Sequence, residues 1–277
     1  EVIIIDDGSD DSVLLKKIIK NYKKIIFLKH KVNKGMCAAR NTGIKRSRGS
    51  VVIILDSDDE FISNWLEVFV RIYQEWPKKT QVCFSQCRNQ IGHMTSERPN
   101  FRGFLELKEI LNEEKSGEYL PIFRGNYIRK SLYTDIGTKK SCGIISYIKF
   151  AIETGSFWIT DDIIRIYYDN RSESISGGWT NHNKAMESVR CYKNLFEQYG
   201  HLYIIHAPQV LKLKKLKLSV YMRLSRKRGY WKEYLEGASF FNWKETMVVG
   251  LMLLAGVNAS SMVAKVAKKI GLIRRYG

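Results

Sequence analysis

Two groups of aspartates, each directly after an apolar segment, have the residue types and spacing needed to bind a metal ion and a phosphate. Asp6 and Asp7 follow "EVIII" directly. Asp56 follows "VVIIL" directly, and Asp58 and Asp59 come two and three residues after Asp56. Carboxylates this close repel one another unless a cation lies between them. Mg²⁺ and Mn²⁺ prefer oxygen ligands and bridge carboxylates to phosphates. Asp56 and Asp58 are therefore the candidate metal ligands.

Two other interpretations of the second aspartate group were weighed against the metal. The aspartates could instead cap the helix expected over "ISNWLEVFVRIYQEW", and this alternative stays open. A calcium-binding loop would place Glu67 at its last ligand position. However, Phe61 stands where such a loop needs glycine, and a strand precedes it where a helix would be needed. The calcium interpretation is therefore disfavoured.

The segments around these aspartates predict an α/β sheet flanked by helices. Strand-like segments "EVIII", "KIIFLKH" and "VVIIL" alternate with the helix-like segments "SVLLKKIIKNY" and "MCAARNTGIKRSRG". This alternation is typical of a mostly parallel sheet. Because ligands bind at the carboxyl ends of the strands in such sheets, we expect both aspartate groups to border one crevice.

Length and charge indicate one large domain with a basic extension. The chain has 277 residues, of which 44% are apolar, and a net charge of +18. Fifteen Lys and Arg against three acids lie from His201 to Gly277, which predicts an anionic partner surface there. The five cysteines are odd in number and lack zinc-ligand spacing, which favours a reducing compartment.

Four motifs in order resemble the nucleotide-sugar-binding half of the family 2 glycosyltransferases. They are Asp-Asp-Gly-Ser, Asn-x-Gly, Ala-Arg-Asn-x-Gly and Leu-Asp-x-Asp-Asp, within "VIIIDDGSDDS" and "NKGMCAARNTGIKRSRGSVVIILDSDDEF". Each motif alone is a weak signal, but four in register are specific. The resemblance implies a GT-A type, Rossmann-like domain over residues 1–178, with a nucleotide-sugar half at 1–90 and an acceptor half at 91–178. A helical, basic region would occupy 179–277.

The resemblance also implies roles for particular residues. Asp58, with Asp56, would hold Mn²⁺ or Mg²⁺ on the donor diphosphate, where the metal stabilises the charge that develops as the sugar–phosphate bond breaks. For Arg40 a solvated helix charge stays open, and for Asn33 and Gly35 a simple turn stays open. The implied donor-binding residues are Asp6, Asp7, Ser9, Asn33, Gly35, Arg40 and Asp56.

The start of the chain departs from the family pattern. Family members begin one strand earlier, with a central strand whose loop contacts the nucleobase, whereas this chain starts at Glu1 on the second strand. A sheet lacking that strand leaves backbone groups unpaired. We therefore expect residues 1–277 to be a fragment that binds the donor poorly and folds marginally.

The general base is the second departure. An inverting transfer needs a carboxylate to take the proton of the acceptor hydroxyl. The family places it in a Glu-Asp pair about a dozen residues before a glycine, but counting back from Gly155 reaches Gly143 and Ile144. The catalytic residue is therefore unknown. Asp161 and Asp162 fit a structural segment of the family, where we interpret them as turn residues.

The C-terminal region predicts contact with an anionic membrane surface through residues 206–277. In "VLKLKKLKLSVYMRLSRKR" an apolar stripe flanked by Lys and Arg is typical of a helix lying on such a surface. Residues 246–264 lack charge but contain small and polar residues, so a packed or interfacial helix is favoured over a membrane span. No nucleic-acid-binding motif is present. The stripe consists of Leu213, Leu216, Val220 and Leu224.

We therefore expect a metal-dependent, inverting glycosyltransferase at the cytoplasmic face of a membrane. It would move a sugar from a nucleoside diphosphate, with UDP preferred, to a saccharide on a membrane lipid during surface-polysaccharide assembly. A protein or small-molecule acceptor is the alternative within the same class. A catalytically degenerate sugar-nucleotide-binding protein is the alternative from another class. No motif determines the sugar, the linkage or the acceptor.

Overall fold

A computed structural model of the chain describes residues 1–10, 12–22, 24–139, 142–168 and 181–254. Contacts divide the chain into two units, Glu1–Arg171 and Ser172–Gly277, which are described separately. The domain boundary predicted at residue 178 lies outside the described residues and stays a prediction.

The first unit alternates strands and helices, which confirms the predicted α/β architecture with a sheet flanked by helices. All three strands and both helices expected in its first part are present. Its elements are β1 (Val2–Asp6), α1 (Ser12–Ile19), β2 (Ile25–Lys29), α2 (Met36–Arg46), β3 (Val51–Ile53), β4 (Glu60–Phe61), α3 (Trp65–Glu75), β5 (Val82–Asn89), β6 (Gly103–Glu106), α4 (Leu107–Leu111), β7 (Tyr119–Arg124), α5 (Gly125–Ile128), α6 (Gly143–Thr154) and β8 (Ser156–Tyr167).

The strand pairing is mixed, whereas the sequence predicted a mostly parallel sheet. β1 and β2 pair in parallel as a two-stranded sheet. The other sheet has the order β3-β7-β5-β8-β4, with β6 also on β8, and in it only β5 and β8 pair in parallel. The reason is that β7 returns from the carboxyl edge and enters the sheet between β3 and β5 in the opposite direction.

The core of the first unit lies under β5, β7 and β8. Central residues of these strands, such as Cys83, Ile122 and Ile164, are fully buried. The amphipathic helix α3 covers them with Ile72 and Trp76, so this face is hydrophobic and dry. In contrast, the apolar residues of β1 and β3 are at most partly buried. The strand expected before Glu1 is not tested by these observations and stays a prediction.

The second unit is helical, as predicted for the basic extension. Asn181 caps its first helix, since its side chain accepts hydrogen bonds from the backbone of the first turn. No helix among the described residues is long and apolar enough to cross a membrane. The helices are α7 (His182–His206), α8 (Pro208–Leu224), α9 (Tyr230–Gly237) and α10 (Trp243–Leu254), with a 3₁₀ turn at Phe240–Asn242.

The apolar stripe of α8 packs inward, so the prediction that this stripe faces a membrane is wrong. Leu216, Val220 and Leu224 are buried in a core that they share with Val248 and Met252 of α10. An apolar stripe at helical spacing fits either a lipid surface or a neighbouring helix. Here α10 covers the stripe, and Leu213 at its edge is only partly buried.

Candidate functional site

Asp6 closes the loop at the end of β1. Its side chain is buried, and its Oδ1 accepts a 2.8 Å hydrogen bond from the backbone N–H of Ser9. The Nζ of Lys29, the last residue of β2, lies 3.6 Å from Oδ2. Burial acts to raise the pKa of Asp6, but the hydrogen bonds from Ser9 and the charge of Lys29 outweigh burial, and the pKa is lowered. The Asp6 carboxylate therefore stays ionised inside its own turn.

Asp7 holds the Asn-x-Gly loop against the end of β1. Its Oδ1 accepts a hydrogen bond from the backbone N–H of Lys34 at 3.0 Å, and its Oδ2 accepts one from Gly35 at 2.7 Å. His30 Nδ1 donates to the same carboxylate at 2.6 Å. The Asp7 carboxylate therefore positions residues 33–35, in which Asn33 and Lys34 are exposed and Gly35 is buried.

Buried His30 connects Asp7 to α2. Its Nδ1 donates to the Asp7 carboxylate, and its Nε2 lies 2.9 Å from the Oγ1 of Thr42 on α2. The Thr42 hydroxyl also lies 3.0 Å from the Ala38 carbonyl of the same helix. Hydrogen-bond contacts at both ring nitrogens thus tie the end of β1 to α2.

Arg40 links α2 to the second aspartate group and is not a solvated helix charge. Its Nη2 donates to both oxygens of Asp56, at 2.8 and 3.1 Å, and its side chain is 14% exposed. Its guanidinium also lies over the ring of Tyr133, 5.4 Å from the centroid. Burial acts to lower the pKa of Arg40, but Tyr133 and Asp56 outweigh burial and raise it. The neighbouring Asn41 exchanges two 2.9 Å hydrogen bonds with the main chain of Tyr133.

The three aspartates after β3 have three different environments. Asp56 is held by Arg40, and its carbonyl accepts a hydrogen bond from the Asp59 backbone at 3.1 Å. Asp58 is exposed. The buried Asp59 lies 3.1 Å from Nη1 of Arg165 on β8, and burial raises the pKa of Asp59 to about 6 although Arg165 opposes this. Asp58 is thus the member of the group that projects from an anchored loop.

A divalent metal fits Asp58 better than it fits the whole aspartate group. In the described parts of the chain, no three His, Cys, Asp or Glu side chains are grouped to hold a metal ion. However, Mg²⁺ in phosphate sites is commonly bound by one or two carboxylates together with substrate phosphates and waters. Asp58 could provide one such carboxylate. Asp56 already accepts hydrogen bonds from Arg40, so its two oxygens are partly engaged.

The position at which the Glu-Asp pair was expected is the start of α6. Gly143 is the first residue of α6 and Ile144 the second, and the first turn of this described helix contains no acid. Glu153, further along α6, accepts hydrogen bonds from Tyr127 at 2.7 Å and from Ser131. This carboxylate is therefore engaged at the far end of the helix.

Asp161 and Asp162 are structural, but they lie in a strand and not in a turn. They fall where the pairing of β8 with β5 shifts register, between Thr160 and Ile163. Arg71 donates to Asp162 at 2.5 Å, and Arg102 donates to both aspartates. These contacts hold the irregular part of β8, so neither carboxylate is a good candidate for the base.

A family model decides which class of protein this is. The model described as "Glycosyl transferase family 2" matches residues 1–137. Residues 1–137 form a glycosyltransferase family 2 domain. The match includes both aspartate groups, α2 and the Tyr133 segment, so the contacts described above lie in the part of the chain that is shared with the family.

Curated relatives include glycosyltransferases of bacterial polysaccharide synthesis. An uncharacterized Rickettsia bellii glycosyltransferase is 45% identical over 76 residues, which is 27% of this chain and 11% of that protein. A protein named for colanic acid biosynthesis, WcaA of Escherichia coli K12, is 22% identical over 88% of this chain and 84% of its own length. The first three relatives are matched over only about a tenth of their length.

A third relative carries a name that specifies donor and acceptor. It is the Escherichia coli enzyme WfgD, named UDP-Glc:alpha-D-GlcNAc-diphosphoundecaprenol beta-1,3-glucosyltransferase. WfgD is 37% identical over 68 residues, which is 24% of this chain and 27% of the enzyme. Because the match covers only about a quarter of each protein, the name describes WfgD and not this chain.

The fold is shared with a solved glycosyltransferase. The crystal structure of Staphylococcus aureus TarS 1–349 in complex with UDP-GlcNAc superposes with a TM-score of 0.56. The alignment covers 100% of this chain and 84% of TarS, at 13% identity. This likeness confirms the predicted GT-A type fold.

Two parts of the site were missed by the sequence analysis. His30 directly follows β2, so parallel pairing with β1 places it beside Asp7, but a single histidine at a strand end is a weak signal. Arg165 lies more than a hundred residues after Asp59 in the sequence and in no recognised motif. This one sequence carries no signal that links Arg165 to Asp59, because the two side chains meet only when β4 pairs with β8.

Proposed function

We propose that this glycosyltransferase is metal-dependent and inverting, and that it moves a sugar from a UDP-sugar to a lipid-linked saccharide in surface-polysaccharide synthesis. The TarS complex with UDP-GlcNAc supports a UDP-sugar donor. The name of WfgD supports an acceptor on a lipid diphosphate. The names of WcaA and WfgD support polysaccharide synthesis as the process.

The observation that carries the proposal is that α2 joins both aspartate groups. Gly35, just before α2, donates to Asp7, and Arg40 in the middle of the helix holds Asp56. One helix of eleven residues thus sets the distance between the end of β1 and the loop after β3. A nucleoside diphosphate needs such a pair of fixed loops, one for the nucleoside and one for the diphosphate.

Asp58 is the proposed ligand of Mn²⁺ or Mg²⁺, with Asp56 as its neighbour on the same loop. When bound, the metal would neutralise the negative charge that develops on the leaving diphosphate. The residues of this chain would keep the loop in place, since Arg40 holds Asp56 and Arg165 holds Asp59. Asp6, Asp7, Ser9, Asn33 and Gly35 belong to the nucleoside side.

Calorimetric titration of UDP, with and without Mn²⁺, tests this function. We expect metal-dependent binding by the wild type and at least a tenfold loss in Asp58→Asn. Glu60→Gln is the matched control because it removes one negative charge from an exposed acid two residues away on β4. Equal binding by wild type and Asp58→Asn would contradict the metal role. Absence of UDP binding in all three proteins would contradict the proposal that the donor is a UDP-sugar.

We also propose that the second unit binds an anionic membrane, through a surface other than the α8 stripe. The 3₁₀ turn exposes Phe240 and Phe241, at 87% and 81%, and α10 exposes Trp243, Met247 and Leu251 at a spacing of one helical turn. This apolar surface is close in sequence to exposed cations, which complements anionic headgroups. The cations are Arg226, Lys227, Arg228, Lys232 and Lys244.

Vesicle flotation tests the membrane proposal. We expect the protein to float with vesicles containing phosphatidylglycerol, less with phosphatidylcholine alone, and less after Phe240→Ser with Phe241→Ser. Ile204→Ser with Ile205→Ser is the control, since these α7 residues are also exposed, at 65% and 68%, but lie outside the proposed surface. Equal flotation of the two double variants would contradict the surface. Retention of nucleic acid in a filter assay in place of flotation would indicate a different partner.

A further inference from the structure

The proposed transfer needs a base, and the acids expected for it are absent or engaged. The start of α6 has no acid, Glu153 accepts a hydrogen bond from Ser131, and Asp162 accepts one from Thr160. The inference below rests on the proposed function and adds the residue that accepts the acceptor's proton. Such a residue must be a carboxylate that is accessible, ionised, and located beside the diphosphate-binding loop.

Glu118 lies at the edge of the sheet where the donor loop ends. It directly precedes β7, which runs antiparallel to both β3 and β5, so the start of β7 lies at the carboxyl ends of those strands. Its backbone is fixed, because its N–H donates to the Thr95 carbonyl at 3.3 Å and its carbonyl accepts from Thr95 Oγ1 at 2.8 Å. The Cα of Glu118 is therefore held in place at this edge.

One guanidinium connects Glu118 to the aspartate loop. Arg165 Nη1 lies 3.1 Å from Asp59, and Nη2 of the same side chain lies 3.6 Å from Glu118 Oε2. Asp59 adjoins Asp58, the proposed metal ligand. Burial, together with the charges of Glu118, Asp59 and Asp58, raises the pKa of Tyr167 to about 12 against the opposing charge of Arg165. Arg165 thus links Glu118 to the loop that carries the proposed metal ligand.

The Glu118 side chain has the freedom that a base requires. It is 55% exposed, and its 3.6 Å contact with Arg165 is longer than a hydrogen bond. Asp59, by contrast, is buried against the same arginine, and Asp56 is held by Arg40.

We propose that Glu118 is the general base of this glycosyltransferase. As the acceptor oxygen forms its bond to the anomeric carbon, the bond from that carbon to the diphosphate breaks and UDP leaves with the electron pair. The proton of the acceptor hydroxyl passes to the Glu118 carboxylate. Arg165 is a positioning residue, which holds Glu118 and Asp59 at a fixed separation.

Kinetics of Glu118→Gln test the proposal. The probes are UDP-GlcNAc as donor and GlcNAc-diphosphoundecaprenol as acceptor, and UDP release is followed between pH 5 and 9. We expect kcat to fall about 100-fold, the loss typical for removal of a general base, with the Kd for UDP unchanged. The acidic limb of the kcat–pH profile should also disappear. Glu118→Asp should retain part of the activity. Its kcat should be lower than that of the wild type, and its kcat–pH profile should keep the acidic limb.

Glu114→Gln is the matched control, because Glu114 is an exposed acid of the same segment. It should match the wild type in kcat, Kd and melting temperature. If Glu118→Gln keeps a kcat within threefold of the wild type, or keeps the acidic limb, the base assignment is overturned while the proposed function stands. If the wild type neither binds UDP nor releases it from UDP-GlcNAc, the proposed function fails, and the role of Glu118 fails with it.

Discussion

The two aspartate loops of the first unit are built in opposite ways. At the end of β1, Asp6 and Asp7 are both engaged by donors from their own turn, from the Asn-x-Gly loop and from His30. After β3, Asp56 and Asp59 are held by arginines while Asp58 projects outward. The first loop is therefore a rigid support, and the second is a support that presents one carboxylate. Aspartates that follow a strand can thus serve architecture in one loop and, as we propose, chemistry in the other.

The largest expected effect tests whether the first loop is rigid. Gly35 has a φ of +95°, and a Cβ there would lie 2.3 Å from the Thr138 carbonyl. We expect Gly35→Ala to lower the free energy of unfolding by about 3 kcal/mol or more, through strain and clash together. Gly92→Ala is the control, since Gly92 has a φ of +88° with open space around it, and about 1 kcal/mol is expected there. If urea unfolding shows that both variants lose the same free energy of unfolding, the loop adjusts to the added Cβ and is not rigid.

A second prediction compares Asp7, which holds a loop in place, with Asp58, the proposed metal ligand. Asp7→Asn should lower the free energy of unfolding by about 2 kcal/mol, because the amide cannot accept from both Gly35 and His30. Asp58→Asn should change it by less than about 0.5 kcal/mol, because Asp58 is exposed. Urea unfolding of the two variants measures this difference. A larger loss in Asp58→Asn than in Asp7→Asn would reverse the comparison.

The third prediction, whose effect is similar in size to that of Asp7→Asn, concerns the anchor of the second loop. The folded state raises the pKa of Asp59 from 3.8 to about 6, so it favours the protonated acid. The stabilisation from this proton is complete below pH 3.8 and is lost as the pH rises through about 6. Relative to Asp59→Asn, which does not titrate, the wild type should lose about 2 kcal/mol between pH 4 and 7. Urea unfolding at pH 4, 5, 6 and 7 measures the difference in the free energy of unfolding between the wild type and Asp59→Asn. If this difference does not change with pH, Arg165 fully compensates the buried charge.

The motifs of the first quarter identified residues that contact one another in the structure, because those contacts are short in sequence or pass through one helix. Asp6 meets Ser9 three residues later, and Arg40 and Asp56 lie sixteen residues apart. The same reasoning failed for α8, where the apolar stripe packs against α10 and not against a membrane. Periodicity records which face is apolar, but it does not record what covers that face.

The sequence by itself determined the family, the order of strands and helices in the first unit, and the loops in which the aspartates lie. Only the tertiary structure decided which aspartate is buried and which is exposed, because burial depends on distant partners. Asp59 meets Arg165, and Glu118 shares that arginine, only after β4 and β8 pair and β7 enters between β3 and β5. The local sequence shows which side chains are available at a position. The long-range pairing of the strands determines which partners those side chains meet.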